Sequence, residues 1–207
     1  MAHAAAMHSE DVMLPPPHRA EGAGVYNEKL GMWIFLGSEV MFFTALIGTY
    51  VILRFAHPDA WVGHPRTTPL NIPVTAVNTF LLICSSVTMV KAFAAAQDGL
   101  QQALRLWLLA TAMIGATFVG VQVYEYTHLI EKGFVPSQGL FGSTFYTMTG
   151  FHGFHVTIGV ICMTFVTIKA FLGKYSQTDH RGVEVIGLYW HFVDLVWIIL
   201  FTIVYLI

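Results

Sequence analysis

Charge is what this sequence has least of. Of its 207 residues only 11% are Asp, Glu, Lys or Arg, against about a quarter in an ordinary soluble domain. With 56% hydrophobic residues, that balance excludes a soluble globular protein and makes the chain an integral membrane protein. A net charge of −2, with basic residues standing singly between apolar runs, excludes a nucleic-acid partner. Cysteine is nearly missing: Cys84 and Cys162 both lie inside apolar runs, so there is no disulfide framework and no zinc spacing, and both read as small core residues. The first thirty residues lack the apolar core of a signal peptide. Residues 1–29 are therefore expected to remain as a mobile polar tail. The run Pro15 to Pro17 and the irregularly spaced His3, His8 and His18 in it offer no metal geometry.

What the chain does have is five long apolar runs. They predict an all-α polytopic membrane domain over residues 30–207, a bundle with spans at about 30–53, 72–94, 103–126, 142–171 and 183–207. Pro73 suits the first turn of the second span, where its missing N–H costs nothing. Asn78, Ser85, Ser86 and Thr88 in that span can bond to other helices, and Lys91 near its end can snorkel. The fourth span is not an ordinary lipid-facing helix. Thr149, Gly153 and Thr157 recur at a spacing of four, a stripe that lets a neighbouring backbone approach closely.

The polar residues inside the spans are the candidate functional groups. They are Glu39 in the first span, Glu125 at the far end of the third, His152 and His155 in the fourth, and His191 and Asp194 in the fifth. An ionised carboxylate at membrane depth is expensive, so Glu39 is expected to be buried in the bundle and either protonated or paired. Counted from the helix ends on the amino-terminal side, Glu39 and His191 lie at roughly 13 and 12 Å, and His155 and His152 at roughly 21 and 25 Å. Depth alone thus matches Glu39 to His191 and sets the span-four histidines nearer Glu125, in two polar layers. Neither layer offers two axial haem ligands on facing helices or a convergent metal set. Two roles stay open for Glu39, buried structural group and proton handling. A proton-coupled transporter is the alternative class, although no internal repeat and no proline at mid-depth, both common in secondary transporters, accompany these groups.

Five spans put the termini on opposite sides. Arg19, Lys29, Lys91, Arg105, Lys169, Lys174 and Arg181 fall on the amino-terminal side, and Arg54, Arg66 and Lys132 on the other. The positive-inside rule then makes the amino terminus cytoplasmic and the carboxyl terminus external.

Longer motifs carry a resemblance. GMWIFLGSEVMFF (Gly31 to Phe43), TPLN (Thr68 to Asn71), QVYEY (Gln122 to Tyr126), FGSTFYTMTGFHGFHVTIG (Phe141 to Gly159) and YWHFVDLVWIILF (Tyr189 to Phe201) resemble subunit III of the haem-copper respiratory oxidases. The likeness covers nearly everything after Lys29, in the short five-helix bacterial form without the two additional amino-terminal helices of longer members. It implies an accessory, non-catalytic subunit of a proton-pumping terminal oxidase in a bacterial plasma membrane. Its main contact would be subunit I, with subunit II and a small subunit IV as further partners. Haem and copper would reside in those partners, with none bound by this chain, and phospholipid would bind. By the same resemblance the subunit sustains proton uptake and protects the catalytic subunit from turnover-linked inactivation, and Glu39 matches the family's carbodiimide-reactive glutamate. The segments around Glu39, His152, His155 and His191 resemble the cytochrome c branch more than the quinol oxidase branch, which is the alternative donor class.

Overall fold

The computed structural model describes residues 26–61, 70–137 and 139–206. The expected tail with its histidines and proline run, up to residue 25, lies outside the described residues, as do Arg66 and the first half of TPLN. The described chain is helical, with no strand among the described residues. Five helices follow in order: α1 Asn27–Ala56, α2 Ile72–Gln97, α3 Gln101–Glu131, α4 Gly139–Phe171 and α5 Arg181–Phe201, the last continued by a π turn, Thr202–Leu206. All five are long and apolar enough to cross a membrane. That outcome is physical: in hydrocarbon only a helix or a closed barrel satisfies every backbone N–H and C=O.

Three helices stop in the same way. After α2, α3 and α4 a glycine takes a left-handed conformation, Gly99 at φ 72°, Gly133 at 81° and Gly173 at 69°. Each bonds back into the last turn, as in Gly99 N–H to Ala96 O at 3.2 Å and Leu100 N–H to Ala95 O at 2.9 Å, which caps carbonyls left over at the helix end. The α2–α3 connection is therefore tight, and these two helices run antiparallel along much of their length.

Helices α2, α3, α4 and α5 form the packed core, in which α3 lies between α2 and α4, and α5 closes against α2 and α4. At its centre stands Trp190, 1% exposed. Its ring fills the space that side chains at Gly115 and Gly159 would otherwise take: a Cβ at Gly115 would lie 2.5 Å from the indole, and one at Gly159 3.0 Å from it. The indole N–H donates to Ser85 Oγ at 2.9 Å. One aromatic side chain of α5 thus touches all three other core helices. Two turns further on, Trp197 donates to Thr79 Oγ1 at 2.9 Å and lies edge-on to Phe118.

Helix α2 is the polar seam of this core. Asn78 donates to the Phe118 carbonyl, Ser86 to Asp194, and Thr88 shares a hydrogen bond with Thr111. With Ser85, all four polar residues singled out in that span make interhelical bonds. Lys91 lies over the Trp107 ring, 4.7 Å from its centroid, its stem along the bundle and its charge toward the membrane surface.

Helix α1 is different. Only Phe43 and Tyr50 along it are buried, and it lies outside the core against α5 and, more lightly, α4. It is pinned near both ends. On the amino-terminal side Lys29 pairs with Glu184 of α5, and Tyr26 donates to the same carboxylate at 2.6 Å. Burial first, and then the Glu184 carboxylate, push the Tyr26 phenol above its usual range. At the far end the turn Pro58–Trp61 brings Trp61 edge-on to both Tyr50 and Phe141.

The cysteines correct one expectation. Both are free thiols, but Cys84 is only half-buried and Cys162 is exposed, because an apolar run in a membrane helix includes lipid-facing positions as well as core ones.

The wedge at Trp190 makes a stability test. Replacement Gly115→Ala forces a methyl into the indole and is expected to cost about 1–3 kcal/mol, as overpacking does. Gly120→Ala, where nothing lies within 4 Å of the added atom, should be neutral. Thermal inactivation of the purified membrane complex compares the two; equal midpoints would show that the indole moves aside freely.

Candidate intramembrane site

The site is built where α1 meets α4. Glu39 Oε2 lies 3.0 Å from Nε2 of His155, and the two side chains are only 16% and 11% exposed. The other ring nitrogen, Nδ1, lies 2.7 Å from the carbonyl of Phe151, one turn back on α4. The His155 carbonyl in turn accepts from the Tyr189 hydroxyl of α5 at 2.9 Å. Phe43 packs edge-on against the imidazole, with ring centroids 5.1 Å apart. The pair forms one wall of a mostly apolar cleft of about 410 Å³, whose other walls include Met32, Phe35, Ile158, Cys162 and Ile186.

These contacts determine where the proton is. A carbonyl only accepts, so Nδ1 carries a hydrogen and donates it to Phe151. Nε2 and Glu39 then share one further proton. Either the imidazole is doubly protonated beside a carboxylate, or a neutral imidazole accepts from a carboxylic acid. Both forms are neutral overall, so the pair avoids the cost of a bare charge at membrane depth.

This geometry corrects the pairing by depth, in which His191 was the partner of Glu39. Helix α1 begins at Asn27 rather than near residue 30, so Glu39 lies roughly 18 Å along it, not 13. His155 sits at the middle of the 33-residue helix α4. Rotation then decides: α5 turns Phe192 toward Phe43 of α1 and Asp194 toward Ser86 of α2.

The remaining candidates are scattered rather than gathered. Glu125 accepts from Thr75 Oγ1 of α2 at 2.7 Å, not from the span-four histidines that depth had set beside it. His152 is wholly buried and stacks on Trp197 at 4.7 Å, and neither of its ring nitrogens has a partner among the described residues. His191 is half-buried. Of the small-residue stripe, Gly153 meets the Gln122 side chain of α3 and the Thr149 carbonyl accepts from Gln122 Nε2 at 3.0 Å. The Thr149 hydroxyl lies 2.6 Å from Tyr126 OH, while Thr157 is half-buried and bonds within its own helix, to the Gly153 carbonyl at 2.7 Å. No three His, Cys, Asp or Glu side chains converge on a metal position among the described residues. Sequence reasoning missed Glu184, whose role with Lys29 and Tyr26 depends on α1 and α5 running parallel and adjacent. Its one sequence signal was an acidic residue in the first turn of α5.

The fold and the site together define a polytopic helical membrane subunit with a carboxyl–imidazole pair held between a peripheral helix and the core. Comparison with known proteins makes the class particular. The family model described as cytochrome c oxidase subunit III matches residues 21–207, and the chain belongs to that family. It is 44% identical to cytochrome c oxidase subunit 3 of Synechocystis sp. over 178 residues, 85% of this chain and 74% of the relative. It is 39% identical to the probable cytochrome c oxidase subunit 3 of Nocardia farcinica over 176 residues, 85% of this chain and 86% of that one. A probable quinol oxidase subunit 3 of Staphylococcus haemolyticus is 34% identical over 182 residues, 86% of this chain and 88% of the relative. The chain is thus subunit III of a terminal oxidase, a membrane protein of aerobic electron transport whose family carries no redox cofactor of its own and works beside other oxidase subunits.

The shared proton gives a chemical test. A hydrophobic carbodiimide requires a carboxylic acid, and His155→Leu removes the base that shares the proton, so Glu39 should then be modified faster than in the wild type. Glu39→Gln should abolish labelling. Mass spectrometry of the labelled subunit reads both; slower labelling of the His155→Leu protein would contradict the shared-proton geometry.

Proposed function

We propose that this subunit acts by packing against subunit I and holding the membrane environment of the complex, with Glu39 contributing through its pairing and not as a member of the obligatory proton route. The observation that carries this reading is the Glu39–His155–Phe151 chain of hydrogen bonds within one subunit. A proton shared between two groups whose remaining bond ends on a backbone carbonyl serves attachment of α1 first. Haem and copper then belong to subunits I and II, a small subunit IV completes the set, and phospholipid fills the apolar cleft beside Glu39.

We infer a bacterial plasma membrane with the amino terminus cytoplasmic. Lys29, Lys91, Arg105, Lys169, Lys174 and Arg181 lie at helix ends or loops on one side, and Arg54 and Lys132 on the other, which supports the orientation. Cytochrome c is the favoured donor, since relatives at 36 to 44% identity carry the name cytochrome c oxidase subunit 3 and one at 34% carries that of a quinol oxidase. Co-purification with a dinuclear-copper subunit is the expected outcome, and its absence would favour quinol.

Two measurements test the rest. The Glu39→Gln variant keeps shape and a donor for His155 Nε2, so the assembled oxidase should retain most of its oxygen reduction; near-complete loss in a fully assembled complex would put Glu39 on the proton route. For orientation, Asp59→Cys and Ser176→Cys occupy exposed positions in opposite loops. An impermeant thiol reagent applied to intact cells, in a background lacking the native cysteines, should label position 59 and spare 176; the reverse pattern would invert the topology.

A further inference from the structure

One of the buried polar atoms left without a partner among the described residues lies at the seam between α2 and α5. Asp194 is 6% exposed; Ser86 donates to its Oδ2, and its Oδ1 has no partner among the described residues. One turn earlier His191 is half-buried, with no hydrogen bond to either ring nitrogen among the described residues. Counted from Arg181, His191 and Asp194 lie roughly 15 and 20 Å along α5, within the middle of a hydrocarbon layer about 30 Å thick. Helical periodicity carries the seam outward, since Leu195 and Ile198 share a face with His191, and Val90 shares one with Ser86. Leu195 and Val90 are more than half exposed, at 57% and 54%.

Acyl chains cannot bond an imidazole or a carboxyl, and lipid keeps its own polar atoms near the headgroups, about half the layer away. Polar groups left at this depth are covered by protein. We propose that the α2–α5 seam at His191, beside the enclosed Ser86–Asp194 pair, is a docking surface for a transmembrane helix of a neighbouring oxidase subunit, one that brings a hydrogen-bonding side chain to mid-depth. The two ring nitrogens of His191 supply a donor and an acceptor, which matches Ser, Thr, Asn, Gln or Tyr on the incoming helix, while Asp194 Oδ1 is enclosed within the bundle. The exposed apolar positions Met113 on α3 and Phe165 on α4 are covered by lipid. The proposal rests on the chain's place in a multisubunit oxidase, and it names the face by which it joins.

The test uses the assembled oxidase in its native membrane. A photoreactive benzoylphenylalanine at Leu195 is expected to form an adduct with another oxidase subunit, and the same probe at Phe165 is not. Lipid adducts only at Leu195, or a cross-link to a second copy of this chain, in a complex that retains its haem would overturn the proposal. In the second arm, His191→Leu should speed loss of this chain from the detergent-solubilised complex by about tenfold, the factor for one interhelical hydrogen bond, and His191→Asn should restore retention. Wild-type retention of the Leu variant would also sink it. Failure of the oxidase assignment itself would look different, because the unmodified chain would then purify without any haem-bearing partner.

Discussion

The bundle depends on the seating of one indole. Trp190 reaches from α5 into a space kept open by Gly115 on α3 and Gly159 on α4, and its N–H ends on Ser85 of α2. In a membrane the hydrophobic effect does not drive helices together, since lipid tails are as apolar as leucine. Association rests on close packing and on polar groups that find partners. Trp190 meets both demands: it supplies a large buried surface at a point where two backbones come near, and its one donor is satisfied. The four core helices are held in register around it, and the polar contacts of α2 with α3 and α5 follow from that register.

Helix α1 answers to a different constraint. It buries little and so gains little from packing, which leaves a few local attachments to hold it. The Lys29–Glu184 pair lies on the amino-terminal side, the Trp61 ring contacts near the far end, and the Glu39–His155 pair between them. The middle attachment is the one that carries a shared proton. Because the pair is neutral in either form, it bridges helices at a depth where a free carboxylate would oppose insertion. An apolar cleft opens beside it, so the pair that holds the peripheral helix also lines that cleft.

The chain belongs to a family that carries no redox cofactor of its own, and its polar residues make sense in that light. Glu125 with Thr75, Gln122 with Thr149 and Asp194 with Ser86 each join two helices; they build a frame. His152 follows the same logic as an aromatic ring, stacked on Trp197 and closed in by Phe43 and Phe118.

The sequence by itself determined the all-α class, the five spans and the family, because length and hydropathy are read residue by residue and motifs such as FHGFH and YWHFVD are local strings. It also marked Glu39 and the histidines as groups needing partners, since the cost of burial belongs to the residue type. Which partners they take was decided by the tertiary structure alone. Depth along a helix can be counted, but the pairing of Glu39 with His155 instead of His191 depends on where α1 begins and on how α5 is rotated. Neither leaves a mark in an apolar run. Likewise Glu184 meets Lys29, and Gly115 meets Trp190, across separations in the chain that no local pattern spans. Helices whose outward faces are as apolar as their inward ones carry little amphipathic signal, and so only their packing distinguishes the face that meets protein from the face that meets lipid.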